Sequence, residues 1–312
     1  MESSLRVTNI RDYRREPARS QVACSRCALG ELCLPRGLTP DETERFEQIV
    51  HRSRPIQPGE HLFRAGDEFR SVASVRTGCF KSYVIDHEGQ EQVLGFHLPG
   101  EIIGLDAIHS CKHVANVVAL DTSAVCGLTF DTVSSMARHM PELQNELFRV
   151  MSQRISELET IAGDLSADER IAMFLLSLSD RFSRRGYSDK EFILAMSRRD
   201  IASYLRLATE TVSRVLARFQ KAGVVKVDRK QVQILDIDEL RSIARKSIVA
   251  AVEKRSIDFV QDYAAAIPMH VISEMMAVPE EKRLRLAELS AGLIDDQDPE
   301  VAPTDDFRLT AR

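Results

Sequence analysis

No run of about 18 consecutive apolar residues occurs in the 312-residue chain, which leaves no candidate for a membrane-spanning helix. The N-terminus carries Arg11, Arg14, Arg15 and Arg19 with no apolar segment after them, so no signal peptide is expected and the expected compartment is the cytoplasm. A positive balance is lacking too: the formal net charge is -5, which taken whole argues against a nucleic-acid partner. No nucleophile and base stand in a recognisable catalytic pattern, so an enzyme is not expected. What is present, 44% hydrophobic and 29% charged side chains, suffices for a sizeable core divided over two or three domains.

The charge is unevenly spread. Residues 181–230 hold 13 Lys and Arg against 5 Asp and Glu, whereas 251–312 hold 7 against 13. A basic segment inside an acidic chain is the footprint expected of a polyanion partner. Cysteines are few, six in all, yet three crowd into "CSRCALGELC", a C-x2-C-x5-C array of Cys24, Cys27 and Cys33. In a reducing compartment a clustered set reads as metal-binding or redox-sensing before it reads as disulfides. Spacing does not choose a fourth ligand among Cys79, Cys111 and Cys126. Four thiolates suit zinc or an iron–sulfur cluster, and the metal stays open on spacing alone. The eight histidines form no comparable pattern; His97, His109 and His113 read as structural or solvated.

Period and punctuation divide the chain. From about Leu38 to Phe130, short β-branched runs ("HLFRAG", "SVASVRTG", "FKSYVID", "ANVVALDTSAVCGLTF") are broken by glycines, the pattern of antiparallel strands in a roll or barrel. From Pro141 the period becomes helical: Leu143, Leu147, Met151, Ile155, Leu158, Ala162 and Leu165 form one apolar stripe, which reads either as packing against its own chain or as a two-stranded coiled coil. Ser166-Ala-Asp-Glu169 is a capping box for the next helix. Within "SRRDIASYLRLATETVSRVLARFQKAGVVKV", Ile201, Tyr204 and Leu205, then Val212, Val215, Leu216 and Phe219, give two short helices inner faces across the turn Arg206-Leu207-Ala208. This is a helix-turn-helix, with the later "VVKV" and "VQILDI" runs pointing to a winged variant. The outer face then presents Glu210, Ser213 and Arg214 to a major groove, Arg suiting guanine and Glu cytosine. Arg198, Arg199, Arg218, Lys221 and Lys226 are placed to neutralise phosphates. Arg206 lies in the turn, and a left-handed backbone there would cost an arginine roughly 1–2 kcal/mol.

From about Cys24 to Ala244, "CSRC-x5-C", "RPIQPGEHLFRAGDE", "GFHLPGEIIGLDAI", "AVCGLTF", "SADERIAMFL" and "TETVSRVLARFQ" stand in the order found in the oxygen-sensing fumarate and nitrate reduction regulators of the CRP/FNR superfamily, which the chain closely resembles. The resemblance implies an α+β architecture: an N-terminal cysteine segment (1–37), a β-roll sensor (38–139), a dimerisation helix (140–165), a winged helix-turn-helix (166–245) and a tail (246–312). It implies a [4Fe-4S] cluster on Cys24, Cys27, Cys33 and Cys126, lost or converted in oxygen, and a homodimer binding TTGAT-n4-ATCAA palindromes in double-stranded DNA. It also implies contact with RNA polymerase around 74–92 and 184–192. Cyclic nucleotide is not expected: the Arg-Ser pair that holds the cyclic phosphate in other superfamily members does not appear in "HSCKHVANVVA", and a buried phosphate would lack its cation. Residues 256–295 resemble a fragment of bacterial cytochromes P450, without that family's E-x-x-R helix or cysteine loop, so haem chemistry is not expected; the acidic end after it reads as disordered.

Overall fold

The computed structural model describes residues 23–162 and 165–245, with only the backbone of 156–162. The chain enters through two 3-10 turns, Cys24–Arg26 and Gly30–Leu32, into helix α1 (Pro40–Gln48). Thr39 caps α1 by a reciprocal box: its hydroxyl accepts from Glu42 N at 3.4 Å and Glu42 Oε2 accepts from Thr39 N at 2.9 Å.

Eight strands follow: β1 (His51–Arg52), β2 (His61–Phe63), β3 (Ser71–Thr77), β4 (Phe80–Ile85), β5 (Glu91–His97), β6 (Ile102–Ile103), β7 (Asn116–Ala119) and β8 (Ala124–Thr129). They pair antiparallel in two four-stranded sheets, β1-β8-β3-β6 and β2-β7-β4-β5, the roll expected from the broken β-branched runs. Ile56, Leu62, Val75, Phe80, Val117 and Val125 fill its interior. At Gly78 (φ 80°) an added Cβ would meet Ser123 and Asp121 side-chain oxygens at 2.2 and 2.6 Å, so the β3–β4 turn needs glycine for both conformation and space.

Helices α2 (Phe130–Ala137) and α3 (Pro141–Ala162) leave the roll, and α3 begins at the proline as the sequence predicts. Helix α4 (Ala167–Ser183) carries the predicted capping box, Glu169 N donating to Ser166 Oγ at 3.3 Å and Ser166 N to Glu169 Oε2 at 2.9 Å. Then come β9 (Glu191–Ile193), α5 (Arg198–Leu205), α6 (Thr209–Lys221), β10 (Val225–Asp228), β11 (Gln231–Ile234) and α7 (Ile237–Ala244). The three strands form a small sheet, β10-β11-β9, beside α5 and α6.

Packing joins what the sequence separates. One apolar core runs from Tyr83, Val93, Phe96 and Leu98 of the roll side into Phe174, Leu178, Leu205 and Phe219 of the winged part. Among the described residues no helix is long and apolar enough to cross a membrane. The tail, with its cytochrome-like segment and expected disorder, lies outside the described residues.

Candidate functional site

Three thiols come from a loop and one from a sheet. Successive turns, with Cys27 N donating to Cys24 O at 3.2 Å and Gly30 N to Cys27 O at 3.0 Å, wind the cysteine loop tightly. Cys126 is fixed by strand register: on β8 it faces Arg52 of β1 on one side and Ser74 of β3 on the other. Ser74 Oγ lies 3.1 Å from Cys33 Sγ, so loop and sheet meet at that contact. Cys24, Cys27, Cys33 and Cys126 all line one cavity, walled by Leu29, Phe46, Val50, Val75 and Leu128, with Arg76 beside them. Cys79 is buried elsewhere and Cys111 is exposed.

The local electrostatics favour the protonated form of Cys24, Cys33 and Cys126 in the absence of a cation. Burial, reinforced by Glu47 and Cys126, pushes Cys24 up to about 11. Burial outweighs the Ser74 hydrogen bond and lifts Cys33 to about 12, and it raises Cys126 against the pull of Arg52 and Arg76. A bound metal reverses this preference by taking the proton's place. Among the described residues no three His, Cys, Asp or Glu side chains converge at the distance of a single metal ion. The four thiols line one cavity.

The second site is the helix pair. Ser197 caps α5 with Asp200, the chain turns at Arg206 in the left-handed conformation (φ 54°, ψ 48°), and α6 begins at Thr209. Val212, Val215, Leu216 and Phe219 are buried, as the inner face requires, and Glu210, Ser213 and Arg214 are exposed together on the outer one. Ser213 Oγ donates to Thr209 O at 3.1 Å and Arg214 reaches Thr211 Oγ1 at 3.3 Å, so both side chains rest on their own helix. Arg199 and Lys221 are exposed. Arg218 pairs with Asp168. Arg198 departs from expectation: it is half-buried, with one buried guanidinium nitrogen that has no hydrogen-bond partner, because it sits in the first turn of α5. The sequence reading did not single out Arg229 and Lys230, which form the turn between β10 and β11, Arg229 at φ 52°.

Helix α3 divides the apolar stripe. Leu143 is fully buried and Leu147 packs on the same intrachain core, whereas Met151 and Ile155 are exposed, together with Phe148, which the stripe omits. The inward placement of Leu143 and Leu147 corrects the assignment of the whole stripe to an outer interface. The side chains of Leu158 and Ala162 lie outside the described residues; Leu165 is half-buried.

The helix pair is tied to the roll. Lys81 of β4 bridges Asp200 of α5 and Glu91 at 2.7 Å each, and Gln92 Nε2 donates to Ser203 O at 2.6 Å. Glu101 accepts from Arg181 Nε at 2.9 Å and from Arg185 at 2.7 Å. Within the expected polymerase surface, Ser74 is buried beside Cys33, and Gln92 and the Glu91 carbonyl are bonded to Ser203 of α5, while the Glu91 side chain stays exposed.

Residues 53–139 match the family model for a cyclic nucleotide-binding domain, and 169–243 that for a Crp-like helix-turn-helix domain. The chain is 43% identical over 227 residues to the transcriptional activator protein anr of Pseudomonas aeruginosa, covering 72% of this chain and 93% of that one. It is 42% identical over 226 residues to the fumarate and nitrate reduction regulatory protein of Vibrio cholerae, covering 72% and 90%. The chain belongs to the FNR-type regulators of the CRP/FNR family. Among solved structures, FixK2 from Bradyrhizobium japonicum is similar at 25% identity and a TM-score of 0.57, covering 62% of this chain and 97% of that one. A CooA mutant from Carboxydothermus hydrogenoformans, at 18% identity and a TM-score of 0.52 over 63% and 88%, shares the fold. This FNR-type chain is thus a DNA-binding transcription regulator, and its matched domains are those of regulators rather than of an enzyme.

Proposed function

We propose that the protein is an oxygen-responsive transcription regulator of anaerobic genes, acting in the cytoplasm as a homodimer, in which Cys24, Cys27, Cys33 and Cys126 hold a [4Fe-4S] cluster. The observation that carries this reading is the convergence of four thiols, three from a loop and one from a strand, on one largely apolar cavity. Soft thiolate donors suit either metal class, but single-ion zinc needs sulfurs about 2.3 Å from one point. The triplet Cys24, Cys27 and Cys33 with Cys126, in the order the resembled regulators have it, favours the cluster over structural zinc. When bound, such a cluster supplies oxygen-sensitive iron. The chain's own part is to hold the thiolates, with Arg52 and Arg76 offsetting their charge, and to keep the cysteine loop against the roll.

Phe148, Met151 and Ile155 offer the exposed apolar face on which two copies associate. A two-fold dimer sets two α6 helices about 34 Å apart and so calls for a palindrome of the TTGAT-n4-ATCAA kind. Glu210, Ser213 and Arg214 read bases, and Arg199 and Lys221, with Arg218 once released from Asp168, meet phosphates. Arg198 joins them only if α5 shifts. RNA polymerase is met through exposed parts of the roll and the α4–β9 loop. Anaerobic isolation should give about four iron and matching sulfide per chain and palindrome binding that falls after air; Cys126→Ser should lose both iron and regulated binding. A colourless protein whose DNA binding ignores air would overturn the reading.

A further inference from the structure

A second cavity, of about 360 Å³, lies where four parts of the chain meet, and arginine dominates it. Arg36 comes from the cysteine loop, Arg149 and Arg154 from α3, and Arg181, Arg184 and Arg185 from the end of α4. Only two carboxylates, Glu31 and Glu101, line it with them. Glu101 is already shared by two of the guanidiniums, Arg181 and Arg185. Glu146, itself buried, and Asp180 pair with Arg149 and Arg184, and the cavity lining holds six arginines against two carboxylates.

Like charges gathered in a half-enclosed space raise the local potential and attract counter-ions. His97 in the wall is held neutral, down to about 3, by burial first and then by Arg154. Guanidinium forks are matched by carboxylate and phosphate oxygens, two at a time.

We propose that this cavity binds a small, multiply charged anion bearing two or more carboxylate or phosphate groups. Its volume is near the lower end for ligand sites, which suits a small metabolite. Most of its lining falls outside residues 53–139, so it is a site separate from the interior of the matched cyclic nucleotide-binding domain. The anion bridges the cysteine loop, α3 and α4. Gly100 in its wall is pressed by the loop: a Cβ there would stand 2.8 Å from Leu32 Cβ. Ligand binding therefore couples the loop to the DNA-binding half, as a chemical input independent of the thiol site.

The test is titration calorimetry of the full chain with citrate and, separately, with pyrophosphate, against chloride at equal ionic strength. Saturable binding of at least one, at one per chain and with Kd below about 1 mM, is expected. Arg36→Gln with Arg184→Gln, two exposed arginines outside the Glu101 contact, should weaken it by about tenfold or more without lowering the melting temperature. Citrate alone identifies a polycarboxylate, pyrophosphate alone a polyphosphate group, and both the shared chemistry. No saturable binding above chloride, or binding indifferent to the double substitution, overturns the proposal.

Discussion

Glu101→Gln should cost about 3 kcal/mol of stability at neutral pH, and two routes lead to that figure. Burial by itself would raise the carboxyl of Glu101, but Arg181 and Arg185 overcome it and hold the group down to about 2 from an ordinary 4.5. A depression of between two and three pKa units is worth about 1.4 kcal/mol each, hence about 3 kcal/mol. Independently, removing one partner of a buried pair typically costs about 3–5 kcal/mol, because the other charge stays buried; here Arg185 keeps only 4% of its side chain exposed. Glu101 itself is 29% exposed, which places the cost at the low end. The folded pKa lies below the unfolded one, so the stabilisation is complete above about pH 4.5 and fades as pH falls toward 2. Urea unfolding of wild type and Glu101→Gln at a series of pH values should therefore show a gap that is constant from pH 7 to 5 and narrows below. A gap under about 1 kcal/mol at pH 7, or one indifferent to acid, would refute the reasoning.

Other substitutions probe other parts. Lys81→Met removes the cation between Asp200 and Glu91 and should loosen α5 from the roll, seen as faster amide exchange over 198–205; unchanged exchange would mean the bridge holds nothing. Arg206→Gly relieves a left-handed non-glycine and should stabilise by about 0.5–1 kcal/mol after the glycine's entropy is charged, read as a higher midpoint in urea. Arg214→Ala should cost about 1–3 kcal/mol per half-site and relax preference at one base pair; equal weakening on every sequence in a binding selection would count against base readout. Phe148→Asp with Ile155→Asp should shift the anaerobic protein to monomers in sedimentation, whereas Leu147→Asp should instead unfold it.

The elements that local chemistry dictates were legible in the sequence. Ser166 with Glu169 announces α4, Pro141 announces α3, and the inner faces of α5 and α6 follow from apolar spacing. The α3 stripe was legible only in part, for a geometric reason. A helix turns about 100° per residue, so each step of four drifts about 40° and three such steps about 120°. Leu143 and Ile155 therefore cannot share a face: Leu143, Leu147 and Val150 point inward, and Phe148, Met151 and Ile155 outward. Spacing could not select Cys126, because its place beside Cys33 is made by the β8–β3 register; family resemblance singled it out, and the shared cavity brings it to the other three. The arginine cavity was not legible at all, since its lining is drawn from four separate segments between Glu31 and Arg185.

The two origins of the thiols have an unequal mechanical consequence. Cys126 is embedded in a strand paired on both sides, while Cys24, Cys27 and Cys33 ride on a loop held mainly by short turns, the Cys24 amide on Glu47 at 3.1 Å and the Cys33–Ser74 contact. If a group held by all four is lost, as the proposed function has it, the expectation is that the loop yields and the doubly paired strand stays. The roll is the anchorage and residues 24–33 are the arm laid on it, whose Leu32 leans on Gly100, the neighbour of the carboxylate that restrains Arg181 and Arg185. From Leu32 to the arginines of α4 the route passes through only Gly100 and Glu101, so a displacement of that arm would act as a lever rather than a relay.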